Sequence, residues 1–342
     1  MISAILKELK DRSDFLGTDT IQTIYFGGGT PSLLTKNEIE RFLESIREDF
    51  RVISDPEISL EANPDDCTKA NLEAWKLAGI NRLSIGIQSF KASDLDWMNR
   101  AHTADESKKC VQYAREEGFE NLTIDLMYGL PDLSESEWRD HVQTAIDWGV
   151  PHISSYCLTV EENTLLEKRV HVGELKVGND EAQSRQFEIL VEMLEQNGIQ
   201  QYEISNFSKP GFESKHNSNY WKGVPYLGIG PSAHSFLGNV RQWNVANNAQ
   251  YMKGVENDAT YSESEILSTS DQFNELLLTG LRTIYGVPLK RLSELCPLSS
   301  EFEAKVLEFQ SNGWMIEKDQ QIYLTRQGRL RADYIAAELF VS

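Results

Sequence analysis

Short apolar runs alternate with longer amphipathic stretches through the first 160 residues of this chain. The runs are Ile21–Phe26, Glu57–Glu61, Arg82–Gln88, Asn121–Met127 and His152–Leu158, and each predicts a strand. The first, Ile21-Gln-Thr-Ile-Tyr-Phe26, is mostly β-branched or aromatic and lacks the clean alternation of a half-exposed strand, which predicts a parallel sheet covered on both faces. Between the runs, amphipathic spacing predicts helices over 35–50, 68–78, 104–117 and 134–148. Their ends are marked locally: Thr35-Lys-Asn-Glu38 is a capping box, and Gly79, Gly118 and Gly149 are stop signals. Strand followed by helix, five times over, predicts parallel strands with right-handed crossovers that close into a barrel or part of one. Residues 1–16 read as the end of a helix expected to begin ahead of Met1, with no N-cap and no strand before it.

After Val160 the pattern changes. A long helix is predicted over 179–197 and a short strand over Gln201–Ser205. From 206 to 262 the chain is rich in Gly, Asn, Pro and aromatic residues, and it reads as an irregular connection. Gly228-Ile-Gly-Pro-Ser-Ala233 has a nominal dinucleotide spacing, but Pro231 interrupts it and no strand–helix–strand unit surrounds it, so that reading is rejected. Residues 263–342 read as helices over 269–283, 289–295 and 300–310, a hairpin turning at Lys318-Asp-Gln320, and a last helix over 326–339. Helices followed by a two-stranded wing make a winged-helix-like module. The expected division is therefore a barrel over 1–205, a connection over 206–262 and a winged-helix-like domain over 263–342.

Composition adds limits. The 342 residues are 40% apolar and 25% charged, as in an ordinary globular protein, and no run approaches the ~18 apolar residues of a membrane span. Met1–Lys10 has no signal-type apolar core, so the expected location is the cytoplasm. The net charge of −20 argues against a nucleic-acid or anionic-membrane partner, which leaves the winged-helix-like module a structural or lid role. Cys67, Cys110, Cys157 and Cys296 are scattered, with the spacing of neither a disulfide framework nor a zinc or iron–sulfur ligand set.

Candidate chemistry gathers at the C-terminal ends of the strands, where α/β barrels place their sites. The first strand runs into Gly27-Gly28-Gly29-Thr30-Pro31; one glycine would suffice for a turn, and three leave backbone bare for a ligand. The next three strands deliver Glu61, Gln88 and Asp125, and Arg100 follows in the loop after the third. Backbone carbonyls with Glu61 suit an ammonium or sulfonium, Arg100 a carboxylate, and Gln88 with Asp125 ribose hydroxyls. An amino acid joined to a nucleoside carries those groups, and S-adenosylmethionine (SAM) is one.

Gly27-Gly-Gly-Thr-Pro31, Glu61-Ala-Asn-Pro64, Gly86-Ile-Gln-Ser-Phe90, Met98-Asn-Arg-Ala-His102 and Asp125-Leu-Met-Tyr-Gly-Leu-Pro131 resemble, in order, the radical SAM proteins of the oxygen-independent coproporphyrinogen III oxidase group. The resemblance covers essentially the whole chain, including Gly280-Leu-Arg282 in the tail. It implies a (β/α)6 radical SAM barrel, SAM held by Gly28, Gly29, Thr30, Glu61, Gln88, Arg100 and Asp125, and a [4Fe-4S] cluster. Within that group, His216-Asn217-Ser-Asn-Tyr220-Trp221 resembles the His-Asn-x-x-Tyr-Trp motif of the haem-chaperone branch, implicating His216, Asn217, Tyr220 and Trp221 in haem binding. The implied function is to bind haem and pass it to an acceptor haemoprotein, soluble or in a membrane. The alternatives are oxidative decarboxylation of coproporphyrinogen and a non-catalytic SAM-binding scaffold.

The sequence departs from the group in one respect. The Cys-x-x-x-Cys-x-x-Cys segment expected ahead of the glycine-rich strand is not in it, and none of its four cysteines has the spacing to replace it. The expectation is a barrel without its first strand, from a start assigned too far downstream or a shortened chain rather than a naturally cluster-free paralogue, since the SAM-site residues remain, and it is unable to hold the cluster or to cleave SAM reductively. Ile21–Phe26 is then expected to be an exposed apolar edge that favours pairing into a homodimer.

Overall fold

Several local end signals in the sequence are realised in the structure. In this computed structural model, which describes residues 1–17, 20–161, 164–173, 175 and 177–341, Thr68 caps the helix Lys69–Ala78 by accepting from the Asn71 amide, and Gly79 closes it in the left-handed region. Reciprocal capping boxes start two more helices, Thr103 with Glu106 before Ala104–Glu116 and Ser134 with Glu137 before Glu135–Asp147.

The apolar runs become β1 (Ile21–Phe26), β2 (Val52–Ala62), β3 (Arg82–Gln88), β4 (Asn121–Tyr128) and β5 (His152–Cys157), followed by β6 (Gln200–Glu203) and β7 (Asn206–Ser208). They form one seven-stranded sheet in the order β1-β2-β3-β4-β5-β7-β6. β2 to β5 pair in parallel, with Glu61 opposite Ser84 and Asp125 opposite Ser154, while β7 pairs antiparallel with both β5 and β6. Leu60, Leu83, Ile85, Ile124 and Ile153 are fully buried, and the covering helices add Leu72, Trp75, Trp138 and Val142. This is the incomplete α/β barrel read from the sequence. β1 lies at its edge but is not the exposed apolar row expected there: Ile24 is buried, and Ile21, Tyr25 and Phe26 are half-buried.

Contacts divide the chain into two units that interleave along the sequence. The barrel unit is Ile24–Lys36 with Glu57–Glu213; the terminal unit joins Met1–Thr23 and Asn37–Pro56 to everything from Ser214 onward. In the terminal unit, the helix Ile2–Asp11 buries Glu8 completely. Its carboxylate accepts from the Gly230 amide at 2.8 Å, Asn244 Nδ2 at 2.7 Å and the Tyr251 hydroxyl at 2.6 Å. Arg12 pairs with it at 3.2 Å and donates to Gln242 Oε1 at 2.7 Å.

The stretch 206–262, read as irregular, contributes two strands to a three-stranded antiparallel sheet that a third, at 262–266, completes. β8 (His234–Leu237), β9 (Val240–Asn244) and β10 (Ser262–Ile266) lie in the order β10-β9-β8, beside helices Lys215–Trp221 and Asn248–Glu256. These strands are four or five residues long and include Arg241-Gln-Trp-Asn244 and Ser262-Glu-Ser-Glu265, so no apolar alternation announces them. Gly228 is needed for space: a Cβ there would lie 2.0 Å from the carbonyl oxygen of His234.

The tail has helices Thr269–Leu281, Leu289–Leu295 and Ser300–Ser311 around β11 (Val287–Pro288), β12 (Met315–Lys318) and β13 (Gln321–Leu324), ordered β11-β13-β12. The single last helix expected there is two, Arg326–Arg329 and Ala332–Glu338. Among the described residues, no helix is long and apolar enough to cross a membrane.

Candidate functional site

The three glycines after β1 serve two different ends. Gly28 and Gly29 have φ of +72° and +63°, in the left-handed region, with open space where a Cβ would stand. Gly27 answers to crowding: a Cβ there would lie 2.4 Å from Tyr25 Cε1 and 3.0 Å from Glu61 Oε1. The crowding reflects a fixed carboxylate. The Tyr25 hydroxyl donates to Glu61 Oε1 at 2.6 Å, and the Gly28 amide donates to Oε2 at 3.1 Å. Burial, then the neighbouring Glu61 charge, push the Tyr25 hydroxyl's pKa well up, so Tyr25 stays a donor. Thr30, with φ of −141° and ψ of 76°, leads into the single turn Pro31–Leu33, where Ser32 donates to Asp66 Oδ2 at 2.5 Å and ties this loop to the one after β2.

Arg100 is held from behind. Its Nη2 donates to the Gly86 carbonyl at 2.7 Å and to Asn63 Oδ1 at 3.1 Å. A Cβ on Gly86 would come within 3.1 Å of that nitrogen and 3.2 Å of Gln88 Nε2. Gln88 has φ of +72°, rare for a side-chain-bearing residue, and the β3–β4 register shifts between Ile85 and Gln88. His102 is buried with Nε2 3.1 Å from the Ile87 carbonyl, which anchors the loop that carries Arg100.

Asp125 sits deep in the unit, with part of its surface still accessible. Burial, and next the charge of Glu61, push its carboxyl up to about 7; bonds with Ser84 and Ser154 and the Arg100 charge oppose the rise. Near neutral pH it both donates and accepts. The barrel unit thus gathers the glycine loop, Glu61, Gln88, Arg100 and Asp125 at one end of its parallel strands. The set offers a fixed carboxylate, a guanidinium, a titrating carboxyl and bare backbone.

The aromatic motif lies in the terminal unit, on the helix Lys215–Trp221, with Ser214 as cap. His216 Nδ1 is 2.9 Å from Thr23 Oγ1, and Nε2 is 3.1 Å from the Tyr220 hydroxyl. Burial lowers the pKa of His216 to about 4, so it is neutral at physiological pH. Tyr220, 40% exposed, meets His216 edge-on and packs against Tyr226 at 4.5 Å between centroids. The spacing His-Asn-x-x-Tyr-Trp makes two i,i+4 pairs, His216 with Tyr220 and Asn217 with Trp221, about 100° apart on a helix. Tyr220 and Trp221 therefore do not share a face. Trp221 lies under the Arg282 guanidinium, 5.4 Å from ring centroid to Cζ, and Arg282 pairs with Asp333 at 2.8 Å. Trp221 Nε1 is buried with no hydrogen-bond partner among the described residues.

Sequence reading missed Thr23, Tyr25, Asn63 and Tyr226. A signal for two of them was present: Thr23 and Tyr25 sit two apart on one face of β1, so one strand carries two hydroxyls pointing the same way. Cys67 and Cys110 are buried, Cys157 and Cys296 half-buried, and among the described residues no three of His, Cys, Asp or Glu are grouped to hold a metal.

A parallel barrel with this strand-end set is the architecture of a radical SAM protein, and the Radical SAM superfamily matches residues 3–145 while the HemN C-terminal domain matches 267–331. The structure of coproporphyrinogen III oxidase (HemN), a radical SAM enzyme from Escherichia coli, superposes with a TM-score of 0.83 over 99% of this chain and 82% of that one, at 22% identity, and so shares its fold. Heme chaperone HemW of Bacillus subtilis is 34% identical over 333 residues, 96% of this chain and 88% of its own. The mitochondrial radical S-adenosyl methionine domain-containing protein 1 of Danio rerio is 31% identical over 98% of this chain and 79% of its own. The chain belongs to the HemW family of radical SAM proteins.

Proposed function

We propose that this protein binds haem on the helix Lys215–Trp221 and passes it to an acceptor haemoprotein. The observation that carries the reading is His216: a neutral imidazole on a short helix, backed at Nδ1 by Thr23, with aromatic residues beside Nε2. A neutral imidazole is an axial ligand for haem iron, and Tyr220 and Tyr226 offer apolar ring surface to a porphyrin. Membership of a family whose relatives are named heme chaperones supports the same reading. Trp221 and Asn217 then serve from the neighbouring face of the helix.

In the barrel unit we assign a second ligand, SAM. Glu61 and the backbone of Gly28, Gly29 and Thr30 hold its ammonium or sulfonium end, Arg100 its carboxylate, and Gln88 with Asp125 its ribose hydroxyls. The residues present fit such a molecule: the carboxylate and guanidinium are fixed, and the space above Gly28 and Gly29 is open. When bound, SAM supplies a sulfonium and an adenosyl group; this chain's residues hold and orient it. In this reading the SAM site lies within residues 1–205, 206–262 carry the haem motif, 263–342 form a winged-helix-like domain, and the protein works in the cytoplasm.

Haem titration tests the reading. A Soret shift on binding is the expected result. His216→Ala should weaken binding by about tenfold or more, the loss when a bond worth roughly 1.4 kcal/mol disappears. A titration unchanged by the substitution would remove His216 as a ligand.

A further inference from the structure

The polar contact behind His216 comes from far away in sequence, since Thr23 lies on β1, 193 residues earlier. Its hydroxyl is 2.9 Å from Nδ1, and the Tyr220 hydroxyl is 3.1 Å from Nε2. A phenol is the stronger acid of the two hydroxyls and an aliphatic hydroxyl the better acceptor. The arrangement that uses both well has Nδ1–H donating to Thr23 Oγ1 and the Tyr220 O–H donating to Nε2. In that tautomer the lone pair for a metal is on Nε2, the nitrogen beside the aromatic pair.

We propose that Thr23 is the positioning residue of the haem site: it fixes the tautomer and ring orientation of His216, and Tyr220 occupies Nε2 until iron displaces it. The proposal rests on the haem reading above and adds to it a named residue and an order of events. A histidine that ligates a metal commonly donates its other ring N–H to an oxygen, and loss of that partner costs 10–100-fold in metal affinity. The bond also makes the imidazole a stronger donor to iron. When haem arrives, the Nε2 lone pair passes from the Tyr220 proton to iron. The phenol keeps its proton and turns to solvent, which its 40% exposure allows. No proton or electron leaves the protein in this exchange.

The test uses the full chain and haem itself. Thr23→Val keeps the β-branched shape a strand prefers and removes only the hydroxyl. It should weaken haem binding by about tenfold and lower the iron–histidine stretching frequency of the ferrous complex in resonance Raman. Thr23→Ser should restore both. In a His216→Ala background, Thr23→Val should change nothing further, because its effect acts through the imidazole. Thr23→Val indistinguishable from wild type in affinity and frequency would overturn the proposal while leaving His216 as the ligand. Weaker binding with an unchanged frequency would reduce Thr23 to a packing role and also overturn it. If His216→Ala binds haem like wild type, the haem reading falls and this inference with it.

Discussion

At the scale of single residues, the group with the most direct consequence is Asp125. An acid whose folded pKa is raised, from 3.8 to about 7 here, keeps its proton in the native state where the unfolded chain has lost it. Between about pH 4 and 7 the native state therefore binds more protons, and stability falls as pH rises through that window. Asp125→Asn stays neutral throughout. Relative to this variant, the wild type should lose up to about 1.4 kcal/mol per pH unit across the window, read from urea unfolding at pH 5 and pH 8. A stability difference that does not change with pH would show that the carboxyl ionises freely in the fold. That Glu61, Gln88, Arg100 and Asp125 share one end of a sheet was legible, since Glu61 and Gln88 end apolar runs, Asp125 lies in the later half of one and Arg100 follows in a loop at the same end. The hydroxyls of Thr23 and Tyr25 were hidden inside such a run, because a pattern of apolar residues shows where a strand is but not what its polar members touch.

At the scale of elements, the glycine loop separates two uses of one residue type. Gly27→Ala puts a Cβ into the Tyr25 ring and against Glu61, so the pair that fixes the carboxylate must move. The expected cost is about 1–3 kcal/mol of stability, as for an overpacked core, together with weakened SAM binding by equilibrium dialysis. Gly28→Ala meets open space and pays only for its left-handed backbone, roughly 1–2 kcal/mol. A Gly27→Ala protein as stable as wild type would contradict the crowding. The five parallel-type strands and the helices between them were legible to within about five residues, because caps, stops and apolar runs agreed, while the short helices Ala92–Trp97 and Leu165–His171 and the strand β7 were not. β8, β9 and β10 were not: short strands with polar faces form because neighbours pair with them, which no local pattern records. The motif helix was legible as chemistry and misleading as geometry. Six consecutive letters look like one patch, yet 100° per residue divides them between two faces.

At the scale of the molecule, the terminal unit depends on one buried carboxylate. Glu8→Ala removes the acceptor shared by Gly230, Asn244 and Tyr251 and leaves Arg12 without its buried counter-charge. Removing one partner of a buried, hydrogen-bonded ion pair costs about 3–5 kcal/mol. In hydrogen exchange, the amides of Ile2–Asp11 and Asn248–Glu256 should lose protection while those of β2 to β5 keep theirs. Uniform loss across the chain would mean that the two units do not open separately.

The same carboxylate sets an order in time. Glu8 is made well before its partners, and its acceptor bonds wait for Gly230, Asn244 and Tyr251, up to 243 residues later. A growing chain short of Tyr251 carries an N-terminal helix whose charge must stay in water. β2 to β5, by contrast, find their partners within a span of about a hundred residues as they emerge. The helix Ile2–Asp11 thus completes its packing only after β2 to β5 have found theirs.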